Sequence, residues 1–167
     1  MAKNMKKSTS NQQLKIKLTK EQFEVLLKLV YLGNWMVNAN RDGSPGNPHK
    51  EKYEAIENYI FSFAKGFGFS EYVDDEDAGS GRFYPTRAFE EETDVQKLHE
   101  EYDEETFWDE LIDRLGERDF YQYYSKDEIR KMSQEERFDK LYEFIDKWAD
   151  EMSENGVERL KIAKDGL

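Results

Sequence analysis

Residues 14–18 alternate apolar and polar (Leu14, Lys15, Ile16, Lys17, Leu18), the two-residue period of a short strand. Thr19 and Gln22 then stand at the spacing of a capping box, which predicts a helix running to about Asn40. Its apolar residues, from Val25, Leu26 and Leu29 to Trp35, Met36 and Val37, cover most of the circumference. That is the pattern of a centrally buried helix, so this one is expected to be the core pillar. Asn34, Asn38 and Arg41 share one face of it. They point either to interhelical hydrogen bonds, with Arg41 favoured near the helix C-terminus, or to a polar pocket beside Trp35.

Residues 41–48 are rich in Gly, Pro, Asn and Asp and form a turn, with Asn47 placed to cap the next helix and Pro48 at its first position. Tyr53, Ile56, Ile60, Phe63, Ala64 and Phe67 recur every three or four residues and predict an amphipathic second helix, ended by Gly66 and Gly68. Residues 71–85 read as a loop. Fifteen residues without structure of their own is long for a compact domain, and such loops are often functional. Beyond Thr86 the chain turns helical again. A short helix is expected over residues 94–102, and another begins at Asp103 or Thr106 with Phe107, Trp108, Leu111, Ile112 and Leu115 inward. Residues 125–132 form a short helical turn. Ser133 and Glu136 open the last helix, whose stripe includes Phe138, Leu141, Tyr142, Ile145, Trp148 and Met152, and Gly156 stops it. Leu160, Lys161 and Ile162 echo residues 14–16, which suggests two end strands that pair.

The expected fold is therefore mainly α, α+β in name. About five helices pack on two long amphipathic ones, with a minor two-stranded β element from the chain ends. Residues 1–13 read as a mobile basic tail and 14–167 as a single globular helical domain. Hydrophobic and charged residues each make up 37% of the chain, a balance that approaches disorder. The 14% of aromatic residues reverses that reading, because each ring buries a large area.

Charge is segregated. Residues 71–119 hold 19 acids and 5 bases, a balance of −14, whereas residues 1–70 hold 6 acids and 11 bases. A one-sided field selects cationic partners and repels nucleic acid and anionic membrane. With no cysteine, disulfides, thiolate metal sites and cysteine catalysis are excluded. The apolar stretch of the first helix is too short and too interrupted to span a bilayer, and the first residues lack a signal-peptide pattern. A soluble, cytoplasmic protein is expected.

Searches for chemistry leave little. There is no Walker A pattern, and Gly66 and Gly68 follow a helix rather than a strand, so no nucleotide site is expected. The two histidines, His49 and His99, form neither a zinc-protease nor a di-iron motif, and no Gly-x-Ser-x-Gly elbow occurs. Asp74, Asp75, Glu76 and Asp77 invite a calcium reading, but in both frames the twelfth position lacks the bidentate carboxylate. The rings among residues 120–124 lack the basic groove of a single-strand binder. No cofactor, metal centre or catalytic residue is assigned.

The expectation is a non-enzymatic interaction module engaging a basic protein through an acidic face. The candidate binding residues are Asp74, Asp75, Glu76 and Asp77, the anchors Phe83 and Tyr84, and Trp35, Asn38 and Arg41. The alternative is a hydrolase using carboxylate-based, possibly metal-assisted chemistry at the acidic loop.

Overall fold

The computed structural model describes residues 15–75 and 81–161. It is mainly helical with a small two-stranded antiparallel sheet. The helices are α1 (Lys20–Asn38), α2 (Glu51–Phe61), α3 (Arg87–Glu92), α4 (Val95–Tyr123), α5 (Lys126–Lys131) and α6 (Gln134–Asn155). Strands β1 (Val73–Asp74) and β2 (Tyr84–Pro85) pair with Val73 opposite Pro85 and Asp74 opposite Tyr84. The chain divides into two compact units, Met1–Gln96 and Lys97–Leu167.

The first unit is built on rings. Phe23, Leu27, Phe61, Ala64, Phe69, Val73, Phe89 and Val95 form its buried cluster. Phe23 stacks on Phe67 at 4.0 Å, and Phe61 meets Phe89 edge-on at 5.2 Å. Each fully buried phenylalanine contributes roughly 1.5–3 kcal/mol, which is how so polar a chain holds a core. The capping box forms as expected. Thr19 Oγ1 accepts from the Gln22 N–H at 3.2 Å, and Gln22 Oε1 accepts from the Thr19 N–H at 3.0 Å.

Several expectations are corrected. Helix α1 is not a pillar buried all round: Phe23 and Leu27 are inside, but Val25, Leu29 (61% exposed) and Met36 face outward. The packing partners in its unit, α2 and the 3₁₀ turns Ala64–Phe67 and Ser70–Tyr72, supply cover to one flank. The expected stripe of α2 holds only in part: Ile60 and Phe67 pack against the core as expected. Phe61 and Ala64 are fully buried, while Ile56 (47% exposed) and Phe63 are exposed. The helix ends at Phe61, and a 3₁₀ turn follows that closes at Gly68, whose φ of 82° favours glycine. Asn47 does not cap α2. Its side chain donates to Asn40 O at 2.8 Å, and it is Asn38 Oδ1 that accepts from the N–H of Lys50, the N-cap residue, at 2.8 Å.

The minor two-stranded element is β1 with β2, not the chain ends. Lys15–Thr19 carries no strand and residues 156–159 are turn, while Leu14 and Ile162 lie outside the described residues. The expected loop of residues 71–85 is thus partly ordered by its own strand pair.

In the second unit the two helices expected over residues 94–115 are one continuous helix, α4. No glycine or proline breaks the chain around Asp103 and Thr106, so the polar residues there remain helical. Helix α6 runs antiparallel to α4: Gly156 lies beside Trp108, Gly116 beside Ile145, and Arg137 donates to the Tyr121 hydroxyl at 2.7 Å. A Cβ at Gly116 would sit 2.7 Å from Ile145 Cγ1 and 2.9 Å from its Cα, so glycine sets how closely the helices approach. Phe120 is fully buried and meets Phe144 edge-on at 6.0 Å. Ser133 Oγ caps α6 through the Glu136 N–H at 3.1 Å, and Ser125 with Glu128 forms a full capping box on α5.

Candidate functional site

In the first unit, α1, α2 and β2 border an open cleft of about 860 Å³. Helix α1 contributes Tyr31, Asn34 and Trp35 to its lining. Helix α2 contributes Glu51, Glu54 and Glu57, which recur every third residue, together with Ala55 and Asn58. The strand side contributes Arg82, Phe83, Tyr84 and Pro85.

The buried face of α2 accounts for the state of Glu57. Glu57 lies one turn before Phe61, on the face that leads into the ring cluster. Burial is the main influence on its carboxyl and pushes it up to about 7, assisted by the neighbouring Glu54 carboxylate. A hydrogen bond from Asn34 Nδ2 to Glu57 Oε2, 2.8 Å, works the other way. Asn34 Oδ1 in turn accepts from Asn38 Nδ2 at 2.8 Å. An amide relay therefore runs from the backbone of α2's first turn to the carboxylate in the cleft. Among the described residues no Lys, Arg or His lies within ion-pair distance of Glu57.

The other groups are tied down. His49 bridges Glu54 Oε1, at 2.7 Å from Nδ1, and Arg41 O, at 3.0 Å from Nε2. Tyr31 donates to Glu90 Oε1 at 2.8 Å, and burial together with that carboxylate raises its phenol well above the ordinary range. Asn58 Nδ2 donates to Phe83 O at 3.1 Å, fixing the strand side of the cleft onto α2. Arg82 Nη1 lies 3.4 Å from the Tyr84 hydroxyl.

The cleft joins two sets of residues that the sequence places far apart, Trp35 on one side and Phe83 and Tyr84 on the other. Asn38 and Arg41 are not in its lining. Asn38 serves the relay, and Arg41 Nε donates to Val37 O at 3.0 Å, so both do the interhelical and helix-end work that was the plainer expectation. Asp74 pairs in register with Tyr84. Asp75 is held by Lys65 Nζ at 2.6 Å, which also keeps its carboxyl below the ordinary range. Glu76 and Asp77 lie outside the described residues. Among the described residues no group of three His, Asp or Glu side chains is arranged to hold a metal ion. No described helix is long and apolar enough to cross a membrane.

Glu51, Glu54 and Glu57 were missed from the sequence because they sit in the stretch whose charge balance is positive. Their spacing of three was the available signal, since it places them on neighbouring positions of one helix surface. No protein-family model, curated protein or solved structure matches this chain.

Proposed function

We propose that the protein is a non-enzymatic interaction module that engages a basic protein partner, and that the working part of its acidic surface is the cleft between α1, α2 and β2. The observation that carries this reading is Glu57, a half-buried carboxylate in a ring-lined cleft with no cationic partner among the described residues. A carboxylate partly withdrawn from water gains more from an arriving cation than an exposed one does, because its water shell is already partly lost and the local dielectric is lower. Glu51 and Glu54 add negative potential at the same opening, against one Arg82.

The test is capture of proteins from a source lysate on the full chain, at low and high salt, beside a variant carrying Glu51→Gln, Glu54→Gln and Glu57→Gln. Basic proteins held by the unaltered chain, released by salt and missing from the variant, support the reading. An identical set on both proteins contradicts it.

A second reading, hydrolysis, is favoured by one observation: a carboxyl pushed up to about 7 in a cleft has the affinity of a general base. It also requires a second group to work with, and the adjacent Glu54 is engaged by His49. Turnover of an ester or glycoside substrate near neutral pH, lost in Glu57→Gln, would put hydrolysis in place of binding.

A further inference from the structure

We propose that the cleft receives a single arginine side chain of the basic partner, with its guanidinium directed to Glu57 and its stem against Trp35, Phe83 and Tyr84. This rests on the reading of the cleft as the partner's site and names the chemistry that the site selects.

An anionic ligand would meet three glutamates and one arginine in the lining. A wholly apolar ligand would bury Glu57 further without giving its carboxylate a partner, which is costly. A bare metal ion requires a set of ligating side chains brought together, and the described residues offer none. What remains is an extended organic cation that brings its own apolar body. Four rings line the cleft, Tyr31 and Trp35 from α1 and Phe83 and Tyr84 at and beside β2, together with the glutamates of α2. Rings beside carboxylates suit a cation that can stack on the rings and donate hydrogen bonds to the carboxylates at once.

Between the two biological side chains of that kind, arginine fits better. Its planar charge is spread over three nitrogens and is more weakly hydrated than an ammonium, so it enters a partly apolar cleft more readily. Its five N–H donors can reach Glu57 Oε1 and a second acceptor together, while Glu57 Oε2 stays bonded to Asn34. The amide relay from Asn38 through Asn34 holds that carboxylate in place before the ligand arrives, so less ordering is needed on binding.

The experiment is a chemical-shift titration of the full chain at pH 8 with three Gly-Ser peptides, identical except for a central arginine, lysine or citrulline. Citrulline keeps the shape and loses the charge. The expected result is shift changes centred on Trp35, Asn34, Glu57 and Phe83, with the arginine peptide at least tenfold tighter than citrulline and severalfold tighter than lysine. Glu57→Gln should reduce arginine binding about tenfold, equivalent to about 1.4 kcal/mol. Tyr84→Ala, at a side chain that is 52% exposed and outside the buried cluster, should reduce it severalfold with the fold intact. Equal affinity for lysine would overturn the choice of arginine and leave the reading of a basic partner standing. Equal affinity for citrulline, or shifts confined to α4 and α6, would overturn the cleft as the site, and the lysate capture would then decide separately whether a basic partner exists.

Discussion

Helix α2 carries Glu51, Glu54 and Glu57 at spacings of three, and helix α4 carries Glu101, Glu105, Asp109, Asp113 and Glu117 at spacings of four. All five on α4 are exposed, and they form a ladder of like charges along the helix. The three on α2 line a cleft, and one of them is half-buried. The stretch with α4 dominates the net charge, yet the stretch with α2 holds Glu57, a carboxyl that burial raises. Placement relative to the ring cluster, rather than the amount of acid, separates the partly buried carboxyl from the solvated ones.

The largest effect tests the placement itself. If the inner face of α2 runs through Glu57 and Phe61, Phe61→Ala should destabilise the protein by about 3–5 kcal/mol in urea unfolding. Ile56→Ala, at an exposed position, should cost less than about 1 kcal/mol. Comparable losses from both would contradict that placement of the inner face.

Two glycines sharpen the contrast between the units. Gly116→Ala should destabilise by about 1–3 kcal/mol, because its methyl would overlap Ile145 where α4 and α6 come closest. Gly33 lies inside α1 with nothing within 4 Å of an added Cβ, so Gly33→Ala should stabilise by up to about 1 kcal/mol. Melting curves of the two variants should move in opposite directions. A shift in the same direction would undo the assignment of Gly116 as the close-approach point.

The pH dependence comes next. The folded chain holds the Glu57 proton up to about 7, above the ordinary 4.5, so between these values the folded state binds more proton than the unfolded one. The stabilising contribution is therefore present in full below about 4.5 and is lost as pH rises through about 7. The groups around it are Glu51, Glu54 with its partner His49, Tyr31 and Arg82. The stability of Glu57→Gln relative to the unaltered chain should therefore rise across that window, as read by urea midpoints at its two ends. A constant difference would place Glu57 in water.

The smallest effect belongs to the ladder. Converting Glu105, Asp109, Asp113 and Glu117 to their amides removes like-charge pairs four apart, each unfavourable by about 0.2–0.5 kcal/mol. A slight gain in stability is expected in calorimetry, and a marked loss would show that these acids hold structure rather than face solvent.

Much of the fold was legible, and the exceptions share a cause. Helix starts at Thr19 and Ser133 were readable because capping is local chemistry between residues three apart. The inner edge of α2 was readable only in part, because Ile60, Ala64 and Phe67 reach the core as their spacing suggests, whereas Ile56 and Phe63 fit the same spacing and are exposed, and Phe61, outside it, is buried. Helix α6 mostly keeps its expected stripe, with Ile145 against Gly116 and Met152 buried, while Phe138 and Tyr142 stay exposed and Phe144, outside the stripe, packs on Phe120. Trp35, Phe83 and Tyr84 were identifiable as candidates one by one. Their meeting was not, since it depends on β1 pairing with β2 and on Asn58 holding Phe83 O. Glu57 was hidden by a local charge balance of the wrong sign, although its spacing from Tyr53, Ile60 and Ala64 places it beside the apolar stripe.

One comparison of affinities tests the central claim. The arginine peptide would be titrated at pH 8 and physiological salt into the Glu57→Gln variant, which loses one charge, and into the ladder variant, which loses four. If placement governs, the single cleft substitution weakens binding about tenfold and the four ladder substitutions by less than about twofold, since exposed charges are largely screened. A larger loss from the ladder variant would contradict the account and return the function to the overall acidity of residues 71–119.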